Sequence, residues 1–122
     1  MYVLNYTYSH DQVTKQCRWK IEVPFGQKVL IYFTAFDLGI DVCGSASVEI
    51  FEGSEKLAQG CGSTSPPLII SSGRYLAMSF YSAWFVEGHG FVAHFKAINS
   101  SSGGLKLELN NYVKAVNTLG VT

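Results

Sequence analysis

Up to Ile98 no stretch of this chain sustains a helical period; β-branched and aromatic runs follow one another at short intervals, separated by Gly, Pro, Ser and Asp. The strand segments are Gln16 to Val23, Lys28 to Phe36, Ala46 to Phe51, Leu68 to Ile70, Tyr75 to Tyr81 and Phe91 to Ala97. Alternation is clearest in the first, where Cys17, Trp19, Ile21 and Val23 face one way and Arg18, Lys20 and Glu22 the other. Turn chemistry follows at Pro24-Phe25-Gly26-Gln27, at Glu52-Gly53-Ser54, at Pro66-Pro67, at Ser72-Gly73 and at Gly88-His89-Gly90. Short strands at this spacing predict an all-β antiparallel sandwich of jelly-roll kind.

The 122 residues suit one domain with a tail. Apolar residues make up 48% of the chain and charged ones 15%, enough to build a core. We expect the sandwich over 1–98, a Ser/Gly linker over 99–104, and a tail over 105–122. The tail is too short for a core of its own, so it pairs with a sandwich edge, begins a neighbouring region or stays mobile.

Nine basic residues balance nine acidic ones and no Lys/Arg cluster forms, which argues against nucleic acid as a partner. The longest apolar run, Val29 to Phe33, is far short of the ~20 residues a membrane-spanning helix needs, so no membrane insertion is expected. The segment Tyr2 to Thr7 has neither the basic lead nor the apolar stretch of a signal peptide. Two sequons, at Asn5 and Asn99, offer glycosylation sites and favour secretion slightly.

Three cysteines, Cys17, Cys43 and Cys61, cannot all pair within the chain, and none has metal-site spacing. Cys43 and Cys61 enclose 17 residues, a loop that a disulfide can close; three buried, reduced thiols are the alternative.

Enzyme signatures are lacking: there is no Gly-X-Ser-X-Gly, no phosphate loop and no His-Glu-X-X-His. His89 and His94 read as a turn and a strand histidine, and Glu49, Glu52 and Glu55 flank a turn without evidence that two converge. No cofactor is expected.

From Tyr2 to about Ala97 the order of these pieces resembles a CUB domain. Cys17-Arg18-Trp19-Lys20-Ile21 with Pro24-Phe25-Gly26 is similar to that family's Cys-X-Trp-X-Ile strand and Pro-X-Gly turn. Phe36-Asp37-Leu38, Cys43, Val48-Glu49-Ile50, Glu52-Gly53, Cys61-Gly62, Ser71-Ser72-Gly73 and Gly90-Phe91-Val92-Ala93 continue the pattern. The resemblance implies a Cys43–Cys61 disulfide. It leaves Cys17, in the second-cysteine position, unpaired or bonded to another chain, since no first cysteine precedes it. Truncation of the opening strands is the expected cause; a lost bridge, or the tail strand Leu105 to Leu109 filling the vacant edge, are the alternatives.

Many CUB domains hold calcium with three carboxylates, and the matching positions here are Gly39, Ala46 and Ala83, none of which ligates through a side chain. Asp37, Asp41 and Glu87 stand nearby, but no metal is expected. The resemblance therefore implies an extracellular, non-catalytic module, part of a larger secreted or receptor ectodomain, that recognises a protein ligand or other domains of its parent chain. A free-standing carbohydrate- or matrix-binding protein similar to the spermadhesins is the alternative. Trp84, Phe85 and Val86 are the candidate partner-binding residues, with Tyr6, Tyr8 and His10 as a second surface; in each case the competing reading is that the side chains cap the core.

Overall fold

The computed structural model describes residues 2–8, 13–99, 106–107 and 114–117, the last two stretches as backbone strands. The elements are β1 (Tyr2–Thr7), β2 (Lys15–Glu22), β3 (Gln27–Asp37), β4 (Ala46–Glu52), β5 (Glu55–Gly60), β6 (Ile69–Ile70), β7 (Tyr75–Ser82), β8 (Gly90–Asn99), β9 (Lys106–Leu107) and β10 (Lys114–Asn117). They form two antiparallel sheets, one ordered β1-β8-β3-β6 with β9 also on β8, the other β10-β2-β7-β4-β5. There is no helix among the described residues.

Period-two patterning decides which faces meet. In β2, Cys17, Trp19 and Ile21 are buried while Gln16 and Lys20 are exposed, and β7 answers with buried Leu76, Met78 and Phe80. Register puts Cys17 opposite Phe80, Trp19 opposite Met78 and Ile21 opposite Leu76, so the inward residues of the two strands line up in rows. From the other sheet Val29, Ile31, Phe91, Ala93 and Phe95 complete the core. Trp19 meets the edge of Phe91 with centroids 6.3 Å apart, which joins the layers at their centre.

Strands appear that the pattern did not suggest. Tyr2–Thr7 pairs with Phe95–Gly90 of β8 as an edge strand. The polar Glu55–Gly60 becomes β5 because the two-residue loop Gly53-Ser54 folds it back on β4, and cross-strand pairing outweighs its low intrinsic preference. The expected strand from Leu68 shrinks to Ile69–Ile70, where Pro66-Pro67 removes two ladder donors just before it. Beyond Asn99, β9 pairs with the end of β8 and β10 runs antiparallel to β2, Val116 opposite Lys20. Residues 100–105, including the rest of the expected linker, lie outside the described residues.

Candidate functional site

At one end of the sandwich the β3–β4 and β7–β8 loops lie against each other. Ala83 N–H donates to the Ser45 carbonyl at 2.8 Å, and Val86 N–H donates back to the Ala83 carbonyl at 3.1 Å. That turn buries its two ends, Ala83 and Val86, and turns its middle outward: Trp84 is 59% and Phe85 53% exposed. Their rings meet edge to face at 5.6 Å, so the pair presents one aromatic ridge. Val86 does not belong to that surface, because it folds back onto the core and fastens the loop.

Tyr8 is likewise not a surface residue. It is buried, with its hydroxyl 3.1 Å from Ser82 Oγ and 3.3 Å from the Leu38 carbonyl, hydrogen-bonding β7 and the β3–β4 loop together. Burial pushes its phenol pKa above the ordinary tyrosine value. Tyr6 is half-buried, wedged 4.7 Å from Phe80 and 5.5 Å from Phe91. The sequence could not show this, since the rings become inward-facing only once β1 is paired with β8. His10 lies outside the described residues.

The three positions where related domains hold calcium do not fit the ion. Ala46 is fully buried and Ala83 nearly so, and neither offers an oxygen beyond its backbone. Gly39 has φ +87°, and a β-carbon there would overlap the Glu87 carbonyl. Gly88 is also closely packed, its own missing β-carbon leaving room for the Leu38–Gly39 backbone. The nearby Asp37 is occupied: its carboxylate accepts the Gly39 N–H at 3.0 Å and bonds Nδ1 of His89, whose side chain is almost wholly exposed. The His89 hydrogen bond, with a smaller contribution from the Gly39 N–H, holds the Asp37 carboxyl below the usual aspartate range. Among the described residues no three His, Cys, Asp or Glu side chains gather in a metal-binding group. Sequence reasoning missed the Asp37–His89 pair, 52 residues apart, because only the closed loops bring them together.

Glu52, Glu49 and His94 have structural partners. Glu52 accepts N–H bonds from Ser72 and Gly73 at 3.0 Å each and so fixes the turn before β7. Glu49 pairs with Lys56 at 3.2 Å. His94 stacks on Tyr32 with centroids 4.7 Å apart and hydrogen-bonds Thr34 Oγ1 at 2.8 Å.

Cys43 and Cys61 form a disulfide with α-carbons 5.2 Å apart, tying the β3–β4 loop to the end of β5. Cys17 lies on β2 as a fully buried thiol outside that disulfide. Asn5 is exposed on the outer face of β1, and Asn99 is half-buried at the end of β8.

A family model described as CUB domain matches residues 2–95. Over 106 residues, 83% of the chain, it is 31% identical to human cubilin, of which that match covers 3%. It is 31% identical over 93 residues to human procollagen C-endopeptidase enhancer 2, covering 73% of the chain and 22% of that protein. It is 33% identical over 103 residues to mouse membrane frizzled-related protein, covering 80% of the chain and 17% of the relative. The chain thus spans less than a quarter of each of these relatives. A solved structure, the CUB1-EGF-CUB2 domain of human MASP-1/3, superposes with a TM-score of 0.66 at 21% identity, over 80% of the chain and 42% of that structure, which shows the same jelly-roll-like sandwich.

Proposed function

The chain belongs to the CUB domain family, and from that premise we propose that it is an extracellular, non-catalytic module for protein–protein recognition within a larger secreted or receptor ectodomain. The observation that carries this reading is the Trp84–Phe85 ridge, two large aromatics held outward by a loop whose ends are buried. Exposed apolar anchors of this kind, on a rigid support, are where interface energy concentrates. Their support is independent of a metal, since backbone hydrogen bonds and the Asp37–His89 pair close the loops. The disulfide fits an oxidising compartment, and Asn5 has the exposure a glycan needs. We place the module at 1–98, followed by the Ser/Gly linker 99–104 and the tail 105–122. The test is a tagged, secreted protein applied to a panel of immobilised extracellular proteins, with Trp84→Ala/Phe85→Ala beside it. A ligand bound by the native chain and lost by the folded double variant supports the reading; a ligand bound equally by both removes this loop from it.

A further inference from the structure

An edge strand turns a row of main-chain N–H and C=O groups to solvent unless something guards it. Among the described residues β1, β6 and the short β9 bound one sheet, and β10 and β5 bound the other. β5 opens on the exposed pair Glu55-Lys56, β9 and β10 carry Lys106 and Lys114, and β1 bears the exposed sequon residue Asn5 at mid-strand. β6 has none of these guards. Between Lys56 and Arg74 the chain has no charged side chain, and Leu68 and Ile70 are 55% and 37% exposed. Pro66-Pro67, which lack N–H groups, limit that edge to the few residues that follow them.

The direction of the main-chain groups on β6 follows from one bond. Ser71 N–H donates to the Val29 carbonyl of β3 at 2.9 Å. Main-chain groups alternate sides along a strand of an antiparallel ladder, so those of Ile70 turn away from β3. The register sets Ile70 opposite Leu30, which is 6% exposed and lies outside the core cluster, on the outer face of the sheet. Ile70 thus offers a donor, an acceptor and an apolar side chain at one point of the edge. Ser72 N–H is already held by the Glu52 carboxylate at 3.0 Å, which confines an added strand to the stretch around Ile70. A charged strand would lose hydration at this neutral edge and find no opposite charge there, whereas a neutral, apolar strand pairs without that cost. The chain itself carries such a strand. β6 of a second copy, antiparallel across a two-fold axis, sets no like charges against each other and uses both edges in one closed contact.

We infer that two copies of this chain associate through β6, Ile70 against Ile70, and so join their β1-β8-β3-β6 sheets into one. The contact is short, which makes the dimer weak and reversible. The test is sedimentation velocity of the 122-residue chain from micromolar to millimolar concentration, with Ile70→Lys and Val3→Lys beside it. Both positions are exposed on edge strands, and circular dichroism checks that each variant folds. A concentration-dependent dimer is expected for the native chain and for Val3→Lys, with the dissociation constant raised at least about ten-fold in Ile70→Lys. Ile70→Cys reads the register, because on the two-fold axis its α-carbon lies about 5.5 Å from that of its mate, within disulfide reach. Mild oxidation should link that variant to itself at least about ten-fold faster than Val3→Cys. A native chain that stays monomeric at millimolar concentration, a dimer weakened by Val3→Lys as much as by Ile70→Lys, or equal oxidation rates of the two cysteine variants would each overturn the inference.

Discussion

Gly39 and the Glu87 carbonyl are packed so closely that the first carbon of any side chain at position 39 would overlap the Glu87 oxygen. The position that supplies a calcium-binding carboxylate in related domains is therefore closed twice over, by the neighbouring loop and by a backbone at φ +87° that L-residues rarely adopt. Loop closure leaves no room for any side chain at position 39, since the β7–β8 loop lies where its first carbon would have to leave the backbone.

Millimolar calcium should leave the unfolding midpoint of the native chain unchanged, because a ligand stabilises only by binding the folded state. Gly39→Glu should not rescue the site. It should cost at least ~1–3 kcal/mol for the left-handed backbone alone, about 4–8 °C per kcal/mol in a domain of this size. Thermal unfolding of both proteins with calcium or chelator decides the matter; a calcium-dependent rise in either midpoint contradicts the account.

Trp84→Ala and Val86→Ala should separate recognition from stability within one turn. Trp84 is mostly exposed, so its truncation should change stability by no more than ~0.5 kcal/mol. Val86 is buried in the core cluster, and deleting its two methyls should cost about 1–3 kcal/mol. Urea unfolding measures both, and a Trp84→Ala protein that unfolds readily would place the indole in the core after all.

How much of this was legible in the sequence depends on whether a contact is local. The inward row Cys17, Trp19, Ile21 and Val23 follows from alternation alone, and all four are buried. The sandwich follows from such rows and the turns between them, and the resemblance to CUB domains from the order of the motifs along the chain. What the sequence concealed are contacts made by register. Tyr8 and Val86 look like loop residues until β1 pairs with β8 and the turn at Ala83 closes. The wet face of β2 was readable from alternation, but not that Arg18 and Lys20 would rest on rings from two other elements.

Tyr8→Phe should weaken the loop end without removing the ring. It deletes a buried hydroxyl that hydrogen-bonds Ser82 Oγ and approaches the Leu38 carbonyl, leaving those groups less well satisfied. The expected loss is ~1–3 kcal/mol. Hydrogen exchange should report faster opening of residues 38–45 and 82–88 than of β2 and β7; uniform acceleration would show that Tyr8 does not act locally.

Reducing the Cys43–Cys61 disulfide should destabilise the folded chain by about 3 kcal/mol, since the bridge closes a loop with a sequence separation of 18. Cys17, fully buried, should resist alkylation of the native protein and react only on unfolding. Peptide mapping with alkylation before and after denaturation checks both statements, and rapid native labelling of Cys17 would place that thiol outside the core.

The Asp37–His89 pair gives the loop end a pH dependence whose sign can be worked out. Asp37 has a folded pKa below its unfolded value, first through the His89 hydrogen bond. The ionised carboxylate is thus favoured by folding, and its contribution is fully present above the unfolded aspartate pKa of about 4 and lost as pH falls through the folded value. Both side chains are substantially exposed, so the contribution is reduced by solvent and salt. Asp37→Asn should flatten the acid limb of the stability curve below about pH 4 relative to the native chain, and high salt should narrow the difference between the two. Thermal midpoints measured from about pH 2 to 6 at low and high ionic strength test this. Superimposable curves for the two proteins would mean that His89 and Asp37 do not hold each other in solution, and that backbone hydrogen bonds alone keep the β7–β8 loop against Gly39.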